Sequence, residues 1–146
     1  MKMNLSARKM VKRPKGKRHK VNAMINQLNK RNQRRYRRMQ SVRRKVRGTA
    51  EKPRFTVFKS NKHIFAQLID DDKGVTVASA GTIMKELREK KLGKRNKEAA
   101  RQIGVMIAKA AMQQNILNVV FDRGFNKYHG LLAEVANAAR ATGLQF

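Results

Sequence analysis

From residue 1 to residue 48 the chain carries 19 Lys and Arg and no Asp or Glu, and this run limits what it can fold into more than any other feature. Like charges with no acidic partner oppose a helix, because none of the i,i+4 ion pairs that would stabilise one can form. The run is also poor in large apolar side chains, so it cannot bury enough surface to offset the entropy of ordering. It is expected to be disordered when free and to order on a polyanion. Residues 49–146 carry 17 basic and 9 acidic residues, a balance compatible with an ordinary folded domain. The boundary is therefore placed near Gly48, with a basic N-terminal extension at 1–48 and one globular domain at 49–146. A chain of 146 residues is too short for two independent cores.

The net charge of +27 makes nucleic acid the default partner, since so short a chain repels itself strongly unless a polyanion neutralises it. No apolar run approaches the roughly 20 residues of a membrane-spanning helix. There is no cysteine, which excludes disulfides, thiolate catalysis and Cys-based zinc sites. An organellar transit peptide is also Arg-rich and acid-poor, but it is typically Ser-rich, and Ser6 and Ser41 are the only serines before Gly48.

The extension divides in two. Arg13-Pro14-Lys15-Gly16-Lys17 reads as an extended basic strap, whereas Asn29 to Val46 lacks Pro and Gly and reads as a conditional helix. Tyr36, Met39, Val42 and Val46 recur at spacings of three and four and make one narrow apolar stripe. Arg31, Arg34, Arg35, Arg37, Arg38, Arg43, Arg44, Lys45 and Arg47 surround it. Such a helix needs a surface for its stripe and phosphates for the rest, so these arginines are candidate RNA contacts. A membrane-surface helix would carry bulky Leu, Phe or Trp where this stripe has Tyr, Met and Val.

In the domain, Phe55 and Val57, then Ile64, Ala66 and Leu68, then Val75 and Val77 alternate with more polar neighbours, the period of strands with one buried face. Ser60-Asn61-Lys62 and Asp71-Asp72-Lys73-Gly74 supply turns, giving a three-strand antiparallel meander. A short helix at Ile83 to Glu89 and a long one capped by Asn96 follow, the latter with Ala100, Ile103, Ile107 and Ala110/Ala111 inward and Gly104 allowing close packing. Leu117 to Phe121 reads as a strand buried on both faces and, after a crossover helix, parallel to its neighbour. A last helix runs from Leu131 to Thr142, with Leu132, Val135, Ala136 and Ala139 inward. The expected class is α/β or α+β: one compact domain with a mixed sheet and helices packed on it.

Two loops add candidate RNA contacts. Arg54, Lys59, Asn61, Lys62 and His63 cluster around the first strand and its turn, where cations and amides can meet a sugar-phosphate backbone. Arg123, Lys127, Tyr128 and His129 follow the predicted parallel strand and can pair phosphate and stack on bases. Tyr128 is equally able to anchor its own loop by its hydroxyl. His19, His63 and His129 lie in different elements, without zinc spacing. Asp70-Asp71-Asp72 resembles a calcium loop, but Gly81 stands where the bidentate glutamate is required, so a turn is expected. A metal-dependent nuclease would draw on Asp70 and Asp122 at strand ends, with too few further carboxylates to complete two metal sites. No catalytic residue, metal, cofactor or small-molecule substrate is expected.

The stretch from Gly48 to Gln67, GTAEKPRFTVFKSNKHIFAQ, resembles the opening of the bacterial large-subunit ribosomal protein L eighteen family. The stretch from Val120 to Gly130, VFDRGFNKYHG, then an Ala-rich helix and the ending Gly143-Leu144-Gln145-Phe146, is similar to that family's closing strand, loop and terminus. Together they frame about 100 residues. The resemblance implies a mixed α/β domain with an arginine-rich N-terminal segment that binds 5S rRNA and helps anchor it to large-subunit rRNA in the central protuberance, beside neighbouring large-subunit proteins. The implied location is the ribosome, cytoplasmic or organellar. The family's N-terminal tail is often shorter, so roughly the first 25 residues carry no motif from which a role can be transferred.

Overall fold

The computed structural model describes residues 15–146, with side chains from Val21 onward. The described chain divides into two units between Tyr36 and Arg37. The compact second unit thus begins before Gly48 and includes residues 37–48.

The first helix, α1, spans Lys15–Arg43. Its Lys, Arg, Gln, Met and Leu residues lose little rotamer freedom on becoming helical, and Arg43 lies in the last turn, at the negative end of the helix dipole. The helix corrects two expectations. Lys15, Gly16 and Lys17 are helical rather than part of an extended strap, one glycine being too weak a breaker among good helix formers. Arg13 and Pro14 lie outside the described residues. The helix also stops at Arg43, not Val46, closing in a turn in which the Lys45 N–H donates to the Val42 carbonyl at 2.9 Å. Of the proposed stripe, Met39, Val42 and Val46 are half-buried, while Tyr36 is 58% exposed.

Four strands follow the order β3-β2-β1-β4, with β1 at Arg54–Lys59, β2 at Ile64–Asp70, β3 at Val75–Gly81 and β4 at Val120–Asp122. β1, β2 and β3 form the antiparallel meander, and β4 runs parallel to β1. The predicted turns are present: the Ser60 hydroxyl accepts the His63 N–H at 2.9 Å, and the Asp70 carboxylate accepts the Asp72 and Lys73 N–H groups.

Two of the three remaining helices, α3 at Lys97–Met112 and α4 at Leu131–Ala141, line the core on one face of the sheet; α2 at Lys85–Glu89 is a single short turn contributing Leu87. Phe55, Val57, Ile64, Ala66, Leu68 and Ala80 from the sheet meet Ile103, Ile107, Leu132 and Val135 from the helices. Each large side chain so buried stabilises by about 1.5–3 kcal/mol. The Asn96 side chain caps α3 by accepting the Ala99 N–H. Gly104 lets α3 and α4 touch, since a Cβ there would lie 2.8 Å from the Ala138 Cβ and closer still to the Val135 carbonyl oxygen.

Two strand expectations need correction. Val75 is 54% exposed, not buried: the bulge between Leu68 and Ile69 sets it opposite Asp70, on the core-facing parity, but it is the first residue of β3, at the end of the sheet. The fourth strand begins at Val120, not Leu117, and is an edge strand rather than one buried on both faces. Leu117 to Val119 pair instead with the C-terminus: the Gln145 N–H donates to the Leu117 carbonyl at 2.9 Å, and the Val119 N–H to the Gln145 carbonyl at 3.0 Å.

Candidate nucleic-acid interface

With α3 and α4 on one side, the other side of the sheet is open. Along β1 the core-facing Phe55 and Val57 alternate with Arg54, Thr56 and Phe58, and these last three line a trough of about 510 Å³ together with Phe65, Gln67 and Ile69 of β2. Arg43, Ser60, His63 and Ile83 complete its wall. A second hollow, about 150 Å³, forms where β4 stops short: β4 pairs only with Arg54, Phe55 and Thr56, leaving residues 57–59 of β1 beside the loop 123–126. Met39 and Arg43 close that hollow, which Lys59 and Arg123 also line.

At the centre lies an ion-pair network. The Arg54 guanidinium is clasped by Asp71, Nε donating to Oδ2 at 2.8 Å and Nη2 to Oδ1 at 2.6 Å, while Nη1 donates to Asp122 Oδ2 at 3.2 Å. Arg43 Nε approaches the same Asp122 oxygen at 3.9 Å, and the Gly48 N–H donates to Asp71 at 2.8 Å. A side chain at Gly48 would collide with the Ile69 carbonyl and the Arg54 N–H, so only glycine brings the linker this close. Hydrogen bonds from Arg54 hold the Asp71 carboxyl at about 2; the Gly48 N–H adds to this, and partial burial opposes it. The Asp71 hydrogen bonds in turn raise the Arg54 guanidinium further, against desolvation.

Arg54, a candidate RNA contact from the sequence, is thus engaged within the fold. It is 7% exposed and gives three of its five N–H donors to two carboxylates, so it ties the β2–β3 turn and β4 to β1. Arg47 is drawn the same way, with Nη2 on Asp72, although it remains exposed. Asp70 and Asp122, the carboxylates a nuclease would need, are likewise occupied: Asp70 caps its turn, and Asp122 also accepts the Gly124 N–H at 2.7 Å.

The other candidates fall in three places. Arg31, Arg34, Arg37 and Arg38 are exposed on α1 with Arg44 just after it, and Arg35 is half-buried. Asn61 and Lys62 are exposed at the tip of the β1–β2 turn, where Lys59 and His63 are half-buried and His63 Nδ1 lies 3.0 Å from the Thr82 hydroxyl. Arg123, Lys127, Tyr128 and His129 are exposed on the loop after β4. There Arg123 Nη1 donates to the Asn126 carbonyl at 3.0 Å, bracing the loop. The Tyr128 hydroxyl accepts from Arg140 Nη1 at 2.7 Å and its ring meets Phe121 edge-on at 5.8 Å, which makes it a loop anchor that stays 43% exposed. The structure gathers Arg43, Lys59, His63 and Arg123 around the two hollows; Tyr128 and His129 line neither.

Sequence reading missed Phe58, Phe65, Ile69 and Ile83. Phe58 is 67% and Ile83 57% exposed on the open side of the sheet. The signal was in the alternation itself, since several outward positions of β1 and β2 are apolar too. Arg140 was also passed over; its guanidinium sits 4.3 Å from the Phe146 ring centroid. Among the described residues, no helix is long and apolar enough to cross a membrane, and no group of three or more His, Asp or Glu is placed to hold a metal ion.

The family model described as ribosomal L18 of archaea, bacteria, mitochondria and chloroplasts matches residues 29–146. The large ribosomal subunit protein uL18 of Protochlamydia amoebophila is 55% identical over 123 residues, covering 84% of this chain and all of the relative. The uL18 proteins of Petrotoga mobilis and Caldanaerobacter subterraneus are 53% and 52% identical, covering 84% and 80% of this chain and 100% and 95% of the relatives. The chain therefore belongs to the ribosomal L18 family and is a structural constituent of the large ribosomal subunit rather than an enzyme.

Proposed function

We propose that this protein binds 5S rRNA and anchors it to large-subunit rRNA in the central protuberance, beside other large-subunit proteins. The observation that carries the RNA contact is the acid-free run of 19 basic residues before Gly48, whose charge only a polyanion can neutralise. The choice of 5S rRNA rests on the resemblance of Gly48 to Gln67 and Val120 to Gly130 to that family's characteristic segments. In this reading Arg31, Arg34, Arg35, Arg37, Arg38 and Arg44 contact phosphates and set affinity. Lys59, Asn61, Lys62 and His63 on the turn, with Arg43, Arg123, Lys127 and His129, supply the shaped surface that discriminates one RNA from another.

The test is competition binding at near-physiological salt. The protein should prefer isolated 5S rRNA to a transfer RNA by about a thousandfold, the low end of the range that separates specific from non-specific nucleic-acid binding. Equal affinity for the two would reduce it to a general polycation and sink the 5S reading.

A further inference from the structure

We propose that the open side of the sheet is a stacking platform for an unpaired nucleobase, with the ring of Phe58 as its exposed surface. The proposal rests on the RNA-binding reading above and names what this part of the interface takes.

Phe58 and Phe65 are cross-strand partners on β1 and β2, so both side chains lie on the face turned away from the core. Phe65 is held in place from beneath: a Cβ at Gly81, its partner on β3, would strike the Phe65 ring, so glycine there lets the ring settle onto the neighbouring strand. Phe58 is left 67% exposed near the end of β1, and Ile83, 57% exposed, lines the same trough, so the open face carries an apolar patch rather than one stray side chain. Beside the rings, Thr56 and Gln67 are themselves a cross-strand pair and offer a hydroxyl and an amide to a base edge. At the rim is Arg43, its side chain 49% exposed, with His63 across the trough.

Charge decides among the occupants of such a face. A second copy of this chain would bring another +27 and be repelled. An apolar protein segment would cover Phe58 and Ile83 but strip water from Arg43, whose approach to Asp122 is a long 3.9 Å, without bringing it an anion. A nucleotide supplies both halves, a ring for Phe58 and a phosphate for Arg43. The base must be unpaired, because a base within a duplex hides its faces in the stack and shows only its edges.

The chain contains no tryptophan, so Phe58→Trp in the full-length protein gives a single reporter at the platform. Its fluorescence should be quenched by 5S rRNA and by an unstructured oligouridylate at low salt, and not by a fully paired RNA duplex. Phe58→Ala should weaken 5S binding about tenfold, within the range of lost base stacking, and leave the salt dependence unchanged because no charge is removed. Phe58→Leu keeps apolar bulk without an aromatic face and should be nearly as weak. Three outcomes would overturn the proposal: 5S rRNA bound without quenching, quenching by duplex equal to that by the single strand, or wild-type affinity in Phe58→Ala or Phe58→Leu. Failure of the unmodified protein to prefer 5S rRNA, with quenching by oligouridylate intact, would sink the 5S reading while supporting the platform.

Discussion

The arginines along α1 before Arg43 and the ion-paired arginines of the domain are the same residue put to opposite uses. Arg31, Arg34, Arg37 and Arg38 stand exposed on a helix whose surrounding 48 residues contain no carboxylate. In the domain, Arg54 lies on Asp71 and Asp122, and Arg101 on Glu134 at 2.8 Å. The first group carries charge that only an external anion can balance; the second has spent its charge on folding. Formal charge therefore does not locate an interface, and the pairing state of each cation does.

The largest effect that would break this contrast comes from truncation. Removing residues 1–36 takes 13 basic residues and stops before the second compact unit, whereas a cut at residue 48 would also remove Arg43 and Gly48 from the ion-pair network. If the whole chain neutralises about ten phosphates, its log affinity should fall with log salt at a slope of about −7 to −9. The shorter chain should keep about half that slope and bind on the order of a thousandfold more weakly at physiological salt, yet still prefer 5S rRNA. Titrations at several salt concentrations measure both quantities. An unchanged slope would mean that the paired domain, not the N-terminal segment, is the electrostatic anchor.

Next comes Arg54→Met, which should act on the fold. It leaves the Asp122 side chain, 2% exposed, with its main partner gone and Asp71 stripped of two hydrogen bonds. Breaking one side of such a buried pair costs about 3 kcal/mol or more, read from urea unfolding. A variant as stable as the original, but weaker on RNA, would return Arg54 to the contact set.

The same network gives a pH signature. Because the folded-state value of Asp71 is depressed to about 2, its contribution is fully present above the ordinary Asp value of about 3.9 and is lost as pH falls through 2. The stability difference between the original protein and Asp71→Asn should be on the order of 1–2 kcal/mol at pH 6 and be mostly gone by pH 2. A difference that persisted at pH 2 would show that geometry, not charge, makes the contact.

How much of this was legible in the sequence depended on the range of the interaction. Period-two alternation located β1 and β2, turn chemistry placed both hairpins, and Asn96 marked the start of α3, because each signal lies within a few residues. The bulge between Leu68 and Ile69 depends on how β2 meets β3, and the pairing of Arg54 spans 17 residues to Asp71 and 68 to Asp122. One sequence carries no local trace of either. Phe58 and Phe65 were legible but misread, because attention to the inward parity of the alternation treated the outward parity as polar.

The smallest effect makes the sharpest comparison, because it removes one positive charge from each region. Arg34→Gln and Arg101→Gln change net charge identically, so any difference between them comes from local circumstance alone. Arg34 is exposed on α1, with no carboxylate in its segment. Arg101 on α3 donates to Glu134 on α4, which raises the guanidinium and lowers the carboxyl, each by their shared hydrogen bond. Exposed pairs of this kind contribute little to stability, so Arg101→Gln should leave the urea midpoint nearly unchanged. It should also leave 5S rRNA affinity unchanged, since that charge was already balanced. Arg34→Gln should weaken binding a few-fold and make the salt slope shallower by about 0.7 to 0.9, the share of one phosphate contact. Equal effects of the two substitutions would show that RNA responds to total charge, and the distinction between paired and unpaired arginines would then have no bearing on binding.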